Sequence, residues 1–295
     1  MNRELNKKFR EILEEKKATL IPGAFNALSA KIIEDEGFKA IYLTGAGLTN
    51  AKLGLPDLAF ISLKDLAEAV FSIRSISKLP IIVDADTGFG NVVNVNYTVK
   101  ILEQAGANAI QIEDQVFPKK CGHFESKSVL DIDEAVMKIK TAVDSRIDKN
   151  FLIIARTDAR NIFGFEEAIN RANKFIEAGA DVTFVESPKS IKEIEEIPKL
   201  IDRPQILNLV FGGKTPILSQ KELENMNFGA ILYANAPLQS AMKSIKETIK
   251  YIKTNGSING WEENLISFDE RQKIVSKDYY DDIENKFSLD SLKGE

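Results

Sequence analysis

Pro80-Ile81-Ile82-Val83-Asp84, a helical pattern over 93–105 closed by Ala105-Gly106, and then Ala109-Ile110-Gln111-Ile112 form the stretch that decides the fold. A short β-branched run, an amphipathic helix and a second apolar run make a strand–helix–strand unit. The glycine after the last helical residue takes the left-handed C-cap that stops the helix. The unit recurs along the chain. Further strand-like runs stand at 19–22, 40–43, 151–155, 182–185, 205–209 and 230–233, with helical patterns near 26–36, 64–77, 131–146, 166–178, 190–200, 219–226 and 237–253. Eight such units without a domain-sized break predict a (β/α)8 TIM barrel, the α/β class, spanning residues 1–295 as one domain. An amphipathic helix over 3–17 precedes it. Residues 256–295, with Trp261, Phe268, Tyr279, Tyr280 and Phe287, form a helical C-terminal extension suited to packing on the barrel or on a subunit partner. An open doubly wound sheet would alternate in the same way, but no glycine-rich phosphate fingerprint follows the first strand.

The bulk composition narrows the function classes. With 44% hydrophobic and 28% charged residues the chain can bury a large core, and its net charge of −5 gives no basic surface for nucleic acid. A single cysteine excludes an intrachain disulfide and a cysteine-cluster zinc site. The charged N-terminus is no signal peptide and no run is long enough for a membrane span, so a cytoplasmic location is expected.

In a barrel of this kind the chemistry gathers at the C-terminal ends of the strands. Those ends carry Tyr42 and Thr44-Gly45-Ala46, Asp84-Ala85-Asp86, Glu113-Asp114, Arg156-Thr157-Asp158, Glu186 and Asn208, and Asp57 lies in the loop after the second strand. Asp84 and Asp86 are two apart and share a face if their strand continues that far. With Asp57 and Glu113 they put four carboxylates at one mouth, where mutual repulsion favours a hard divalent cation, Mg²⁺ or Mn²⁺. Each acid could instead cap a helix or pair with a lysine. Arg156 could hold a substrate carboxylate in its fork, or form a salt bridge to Asp158 or Glu186. After the fourth strand, Lys119-Lys120-Cys121-Gly122-His123 brings the only cysteine and the only histidine together behind two lysines. Neighbouring cations stabilise a thiolate, although a lone cysteine can equally be buried and inert.

That run, with Pro22-Gly23-Ala24, Leu55-Pro56-Asp57, Asp84-Ala85-Asp86-Thr87-Gly88-Phe89-Gly90, Ala155-Arg156-Thr157-Asp158-Ala159 and Gly212-Gly213-Lys214-Thr215-Pro216, resembles the isocitrate lyase/phosphoenolpyruvate mutase superfamily. Cys-Gly-His after the lysines marks its lyase branch. The resemblance implies a last barrel helix exchanged between subunits of a homotetramer built as a dimer of dimers. It also implies Mg²⁺ (or Mn²⁺) held by Asp84 directly and by Asp57, Asp86 and Glu113 mostly through water. Thr44, Gly45, Ala46 and Arg156 would hold the pyruvate half of a 2-hydroxy dicarboxylate. Lys119, Gly122, His123, Glu186 and Asn208 would hold the departing carboxylate, and Cys121 would protonate the carbanion left by retro-aldol cleavage. Tyr42, Lys119 and a metal-bound water are all open as the base.

Lyases for tricarboxylic substrates carry a hydroxyl residue two positions after the strand-seven asparagine. Here that position is Val210, so a 2,3-dimethylmalate-type substrate is expected ahead of 2-methylisocitrate. Hydrolysis of oxaloacetate or phosphonopyruvate, or a non-catalytic binder, are the other readings. Replacing Cys121 by serine should lower turnover by the ~10²–10⁴ typical of lost general-acid catalysis, with pyruvate binding little changed. Because this is the sole thiol, full turnover after complete alkylation would exclude it.

Overall fold

A computed structural model describes residues 2–120 and 127–288. Cys121, Gly122 and His123 therefore lie outside the described residues. The chain divides into two compact units, one running through Leu238 and the other beginning at Gln239.

The first unit is the barrel. Its strands are β1 (Thr19–Ala24), β2 (Ile41–Leu43), β3 (Ile81–Asp84), β4 (Ala109–Glu113), β5 (Leu152–Thr157), β6 (Val182–Val185), β7 (Ile206–Asn208) and β8 (Ala230–Tyr233). Every pairing is parallel, in the order β6-β5-β4-β3-β2-β1-β8-β7. A parallel bridge from Thr183 to Gln205 joins the two ends of that order, and the Thr183 hydroxyl donates to Gln205 Oε1 at 2.6 Å. The sheet is thereby closed, as the recurring units predict.

Helices follow the strands in turn: α1 (Asn2–Glu14) before the barrel, then α2 (Ala27–Asp35), α3 (Gly45–Leu53), α4 (Leu63–Ile76), α5 (Val92–Ala105), α6 (Ile132–Ser145), α7 (Arg160–Phe163), α8 (Phe165–Glu177), α9 (Ile191–Leu200), α10 (Gln220–Asn225) and α11 (Ala236–Asn255). The alternation expected of a strand assigns the two faces. One interior cluster gathers Ala40 and Tyr42, Ile82, Ala109, Leu152 and Ile154, Val182 and Phe184, Ile206, and Ala230, Leu232 and Ala234, with Phe9 and Leu13 of α1 among them. The intervening residues, such as Ile41, Leu43, Ile81, Val83, Ile110, Ile153, Leu207 and Ile231, pack in the two clusters shared with the helices. Gly23 stands where β1 passes β8 most closely: a Cβ there would lie 1.8 Å from the Ala234 carbonyl oxygen.

Two local features differ from the sequence reading. α3, which the helical patterns did not include, begins inside Thr44-Gly45-Ala46-Gly47; Thr44 caps it, its Oγ1 accepting from the Gly47 N–H. β3 stops at Asp84, and Asp86 has a left-handed φ of 48°. Asp84 and Asp86 are therefore not neighbours on one strand face.

In the second unit, the remainder of α11 is tied to the following turn. The Trp261 ring stacks on Tyr251 at 4.6 Å and its indole N–H donates to Thr248 Oγ1. Two further helices follow, α12 (Phe268–Ile274) and α13 (Lys277–Lys286). Among the described residues no helix is long and apolar enough to cross a membrane.

Candidate active site

The inward register of the barrel carries its polar residues to one end. Continuing each interior column by two residues takes Tyr42 to Thr44, Ile82 to Asp84, Gln111 to Glu113, Ile154 to Arg156, Phe184 to Glu186 and Ile206 to Asn208. All six of these end residues line one cleft, together with Ala46, Asp57, Lys119, Lys120, Ala234 and Asn235. Its free volume is only about 30 Å³. Larger clefts of about 440 and 550 Å³ lie elsewhere, one edged by Arg10, Asp181 and Arg203 and the other by α9 and α10. Neither contains any of the strand-end groups, so size is a poor guide here to chemistry.

Asp84 and Asp86 converge despite the break in the strand. A Cβ on Gly45 would lie 3.2 Å from Asp86 Oδ1 and 3.3 Å from Asp84 Oδ2. Both carboxylates thus point at the N-terminal turn of α3, whose first N–H groups have no intrahelical partner. Lys119 supplies the nearest full positive charge: its Nζ stands 2.6 and 2.8 Å from the two Asp57 oxygens and 2.8 Å from Asp86 Oδ1. The Asp86 contact is one of charge, because Oδ1 accepts no well-aligned hydrogen bond; Glu113 Oε1 is likewise buried without one. Burial pushes the Asp86 carboxyl up to about 7, against the pull of Lys119 and with the help of Asp84 and Asp57. Burial also raises Glu113 well above the carboxylate range, opposed chiefly by Arg156. Burial would lower the Lys119 ammonium, but Asp86, Asp84 and Glu113 outweigh it and raise it.

Arg156 does both things open to it. It belongs to the cleft, and it forks onto Asp158, Nε to Oδ2 at 2.9 Å and Nη2 to Oδ1 at 3.2 Å. Glu113 and Glu186 approach it at 3.4 and 3.5 Å. Asp158 is seated in turn, its N–H donating to Asp114 Oδ1, and Asp114 also accepts from Thr157 Oγ1 and Arg171. Tyr42 donates to Gln111 Oε1 at 3.0 Å, and Gln111 Nε2 reaches Asp84 at 3.3 Å. Burial, then the charge of Asp84, holds the Tyr42 proton on. Gln111, Asn235 and Lys127 are the residues that sequence reasoning missed. Gln111 was visible as the one polar side chain in an apolar strand, and Asn235 as the polar residue at the end of the eighth strand. Val210 behaves differently from its expected role as a wall. β7 ends at Asn208, the chain leaves in a turn closed by Gly213 N–H to the Val210 carbonyl, and Val210 does not line the cleft.

The donor set is all oxygen and suits a hard divalent cation: two buried carboxylate oxygens want a partner, and Gly45 leaves room beside Asp84 and Asp86. Among the described residues no three acidic side chains stand as a ready metal-ligand group. Lys119 is the counter-charge instead.

Residues 9–253 match the family model described as phosphoenolpyruvate phosphomutase. The chain belongs to that family. It is 38% identical to the 2,3-dimethylmalate lyase of Eubacterium barkeri, over 95% of this chain and 97% of that protein. It is 37% identical to the 2-methylisocitrate lyase of Aeropyrum pernix, over 97% and 91%. Among solved structures it superposes with a TM-score of 0.87 on phosphonopyruvate hydrolase in complex with oxalate and Mg²⁺, at 30% identity over 96% of this chain and 98% of that one. The family member described here is therefore an enzyme with the lyase barrel.

The Asp86 carboxyl generates a pH prediction for the protein in EDTA. Its native value of about 7 lies above the ~3.9 of an unfolded aspartate, so between them the native state holds the extra proton. This group's contribution to stability is complete at low pH and is lost as pH rises through about 7. Urea unfolding from pH 5 to pH 8 should show that decline in the wild type and a flatter curve in Asp86→Asn. Identical slopes would show that Asp86 is not the titrating group.

Proposed function

We propose that the enzyme cleaves a C–C bond in a 2-hydroxy dicarboxylate, giving pyruvate and a second carboxylic acid. The observation that carries this reading is the pairing, in one cleft, of an anion-binding half with a carboxylate half. Arg156, Thr44 and the first turn of α3 form the first, and Asp57, Asp84, Asp86 and Glu113 the second. Helix N-termini and guanidinium forks both suit carboxylates. The second half would hold Mg²⁺, with Asp84 as its direct ligand and the other three around it. Bound there, the ion would withdraw charge from the substrate oxygen that becomes a carbonyl. Lys119 and a divalent ion are alternative counter-charges to the same carboxylates.

The protein's own groups divide the remaining work. Arg156 and the N–H groups at Gly45 and Ala46 orient the carboxylate of the pyruvate half. As the hydroxyl proton leaves, the C2–C3 electron pair passes to C3, and Cys121 Sγ returns a proton to that carbon. Tyr42 keeps its own proton and steadies Gln111 and Asp84, and Lys119 is held as an ammonium, which leaves water as the base. Glu186, Asn208, Lys119, Gly122 and His123 would hold the departing carboxylate.

A 2,3-dimethylmalate-type substrate fits best, because Ala46 and Ala234 give the cleft small apolar walls. Lys120 also lines the cleft and is the observation that favours the alternative, 2-methylisocitrate, with its third carboxylate. For assembly, we infer a homotetramer with α11 exchanged between subunits. Met242, Ile245, Ile249 and Ile252 recur on α11 at three- and four-residue spacing, all at least 40% exposed. That is the seam of a helix that packs on another chain.

EDTA should abolish turnover and Mg²⁺ or Mn²⁺ restore it, while Asp84→Ala should be inactive yet folded. The ratio of kcat/KM for 2,3-dimethylmalate and 2-methylisocitrate should favour the former. Full activity of the chelated enzyme would sink the metal assignment, and a clear preference for the tricarboxylate would reverse the substrate ranking.

A further inference from the structure

Arg156 is the cleft's principal carboxylate binder in the reading above, yet it is surrounded by negative charge. Asp158 takes its fork, and Glu113 and Glu186 lie within 3.5 Å. Three carboxylates around one guanidinium offset the charge with which it would attract an anionic substrate. A further cation corrects the balance. Lys127 Nζ stands 2.5 Å from Asp158 Oδ1, and the two side chains are 1% and 0% exposed.

Lys127 reaches that position through backbone pairing. Gln115 and Val129 form an antiparallel bridge, Val116 N–H donates to the Ser128 carbonyl, and Leu130 N–H donates to the Asp114 carbonyl. The chain at 127–130 is thereby pinned to the extension of β4. Asp158 is fixed from its other side by Asp114, so neither partner is a loose surface charge. Both cations meet on Oδ1, Lys127 at 2.5 Å and Arg156 Nη2 at 3.2 Å. Arg156 Nη1 makes no hydrogen bond among the described residues. Burial would raise the Asp158 carboxyl, but Arg156 and Lys127 hold it down to about 2, so it stays ionised across the working range.

We propose that Lys127 is a positioning residue for Arg156: it neutralises the carboxylate the two cations share, and so leaves the guanidinium's charge and its free edge to the substrate. The proposal rests on the reading of Arg156 as a carboxylate binder. Without Lys127, the whole negative charge of Asp158 would fall on the fork it already holds and cancel that positive charge.

Oxalate binding by calorimetry with Mg²⁺ present tests this, alongside steady-state kinetics. Lys127→Met should weaken oxalate about 10–100-fold and raise KM by more than it lowers kcat, the scale of a lost charge-assisted contact. Lys127→Arg should stay within about threefold of wild type. The double variant Lys127→Met/Asp158→Asn should regain most of the lost affinity, because no carboxylate remains to neutralise; a merely structural role would make it no better than Lys127→Met. Removing one partner of a buried pair can unfold a protein. If Lys127→Met does not fold, Lys127→Arg and the double variant decide alone, and weak oxalate binding in either overturns the proposal. Arg156→Gln separates the two claims. Wild-type oxalate binding in that variant would refute the reading of Arg156 itself. Its loss of binding, with Lys127→Met unaffected, would refute only the coupling.

Discussion

A carboxylate taken out of water at the mouth of a barrel needs a counter-charge, and the upper half of this molecule is arranged around that need. Asp57 and Asp86 share Lys119; Asp158 is shared by Lys127 and Arg156; Asp114 receives Arg171, Thr157 and a backbone N–H. Asp86 Oδ1 and Glu113 Oε1 are among the buried oxygens that accept no hydrogen bond. Carboxylate oxygens left in that state beside a cleft of titratable groups are what a ligand or cation would complete.

The barrel makes this arrangement possible through one geometric rule. Alternate residues point inward, and four interior columns change from apolar to polar at their last inward position. Ile82 gives way to Asp84, Ile154 to Arg156, Phe184 to Glu186 and Ile206 to Asn208. The apolar layer below, closed by Phe9 and Leu13 of α1, lowers the dielectric under the polar one and strengthens every charge interaction in it. The same burial drives the upward shifts of Asp86 and Glu113. Fold and site are thus two parts of the same columns.

Much of this was legible in the residues. Strand and helix recurrence gave the barrel to within a few residues per element, since a period of two and a period of 3.6 are local signals. Reading strand ends located Asp84, Glu113, Arg156, Glu186 and Asn208 for the same reason. What escaped was long-range or conformational. Lys119 and Asp57 are 62 residues apart and Lys127 and Asp158 are 31 apart, with no pattern linking either pair. α3 was hidden because two glycines stand in its first turn and only the Thr44 cap marks where it begins. Asp86 reaches the cleft through a left-handed backbone and not along a strand, which no spacing reveals. Val210 falls outside the cleft lining because β7 stops earlier than its apolar run.

The central claim is that C2–C3 cleavage leaves a carbanion that is protonated at the enzyme. Turnover of 2,3-dimethylmalate in D₂O, followed by proton NMR, tests it most directly. The account predicts equal amounts of pyruvate and propionate, with one solvent-derived deuterium on the α-carbon of the propionate. Oxalate or acetate from oxaloacetate with no pyruvate from any 2-hydroxy dicarboxylate, or propionate without deuterium, would contradict it.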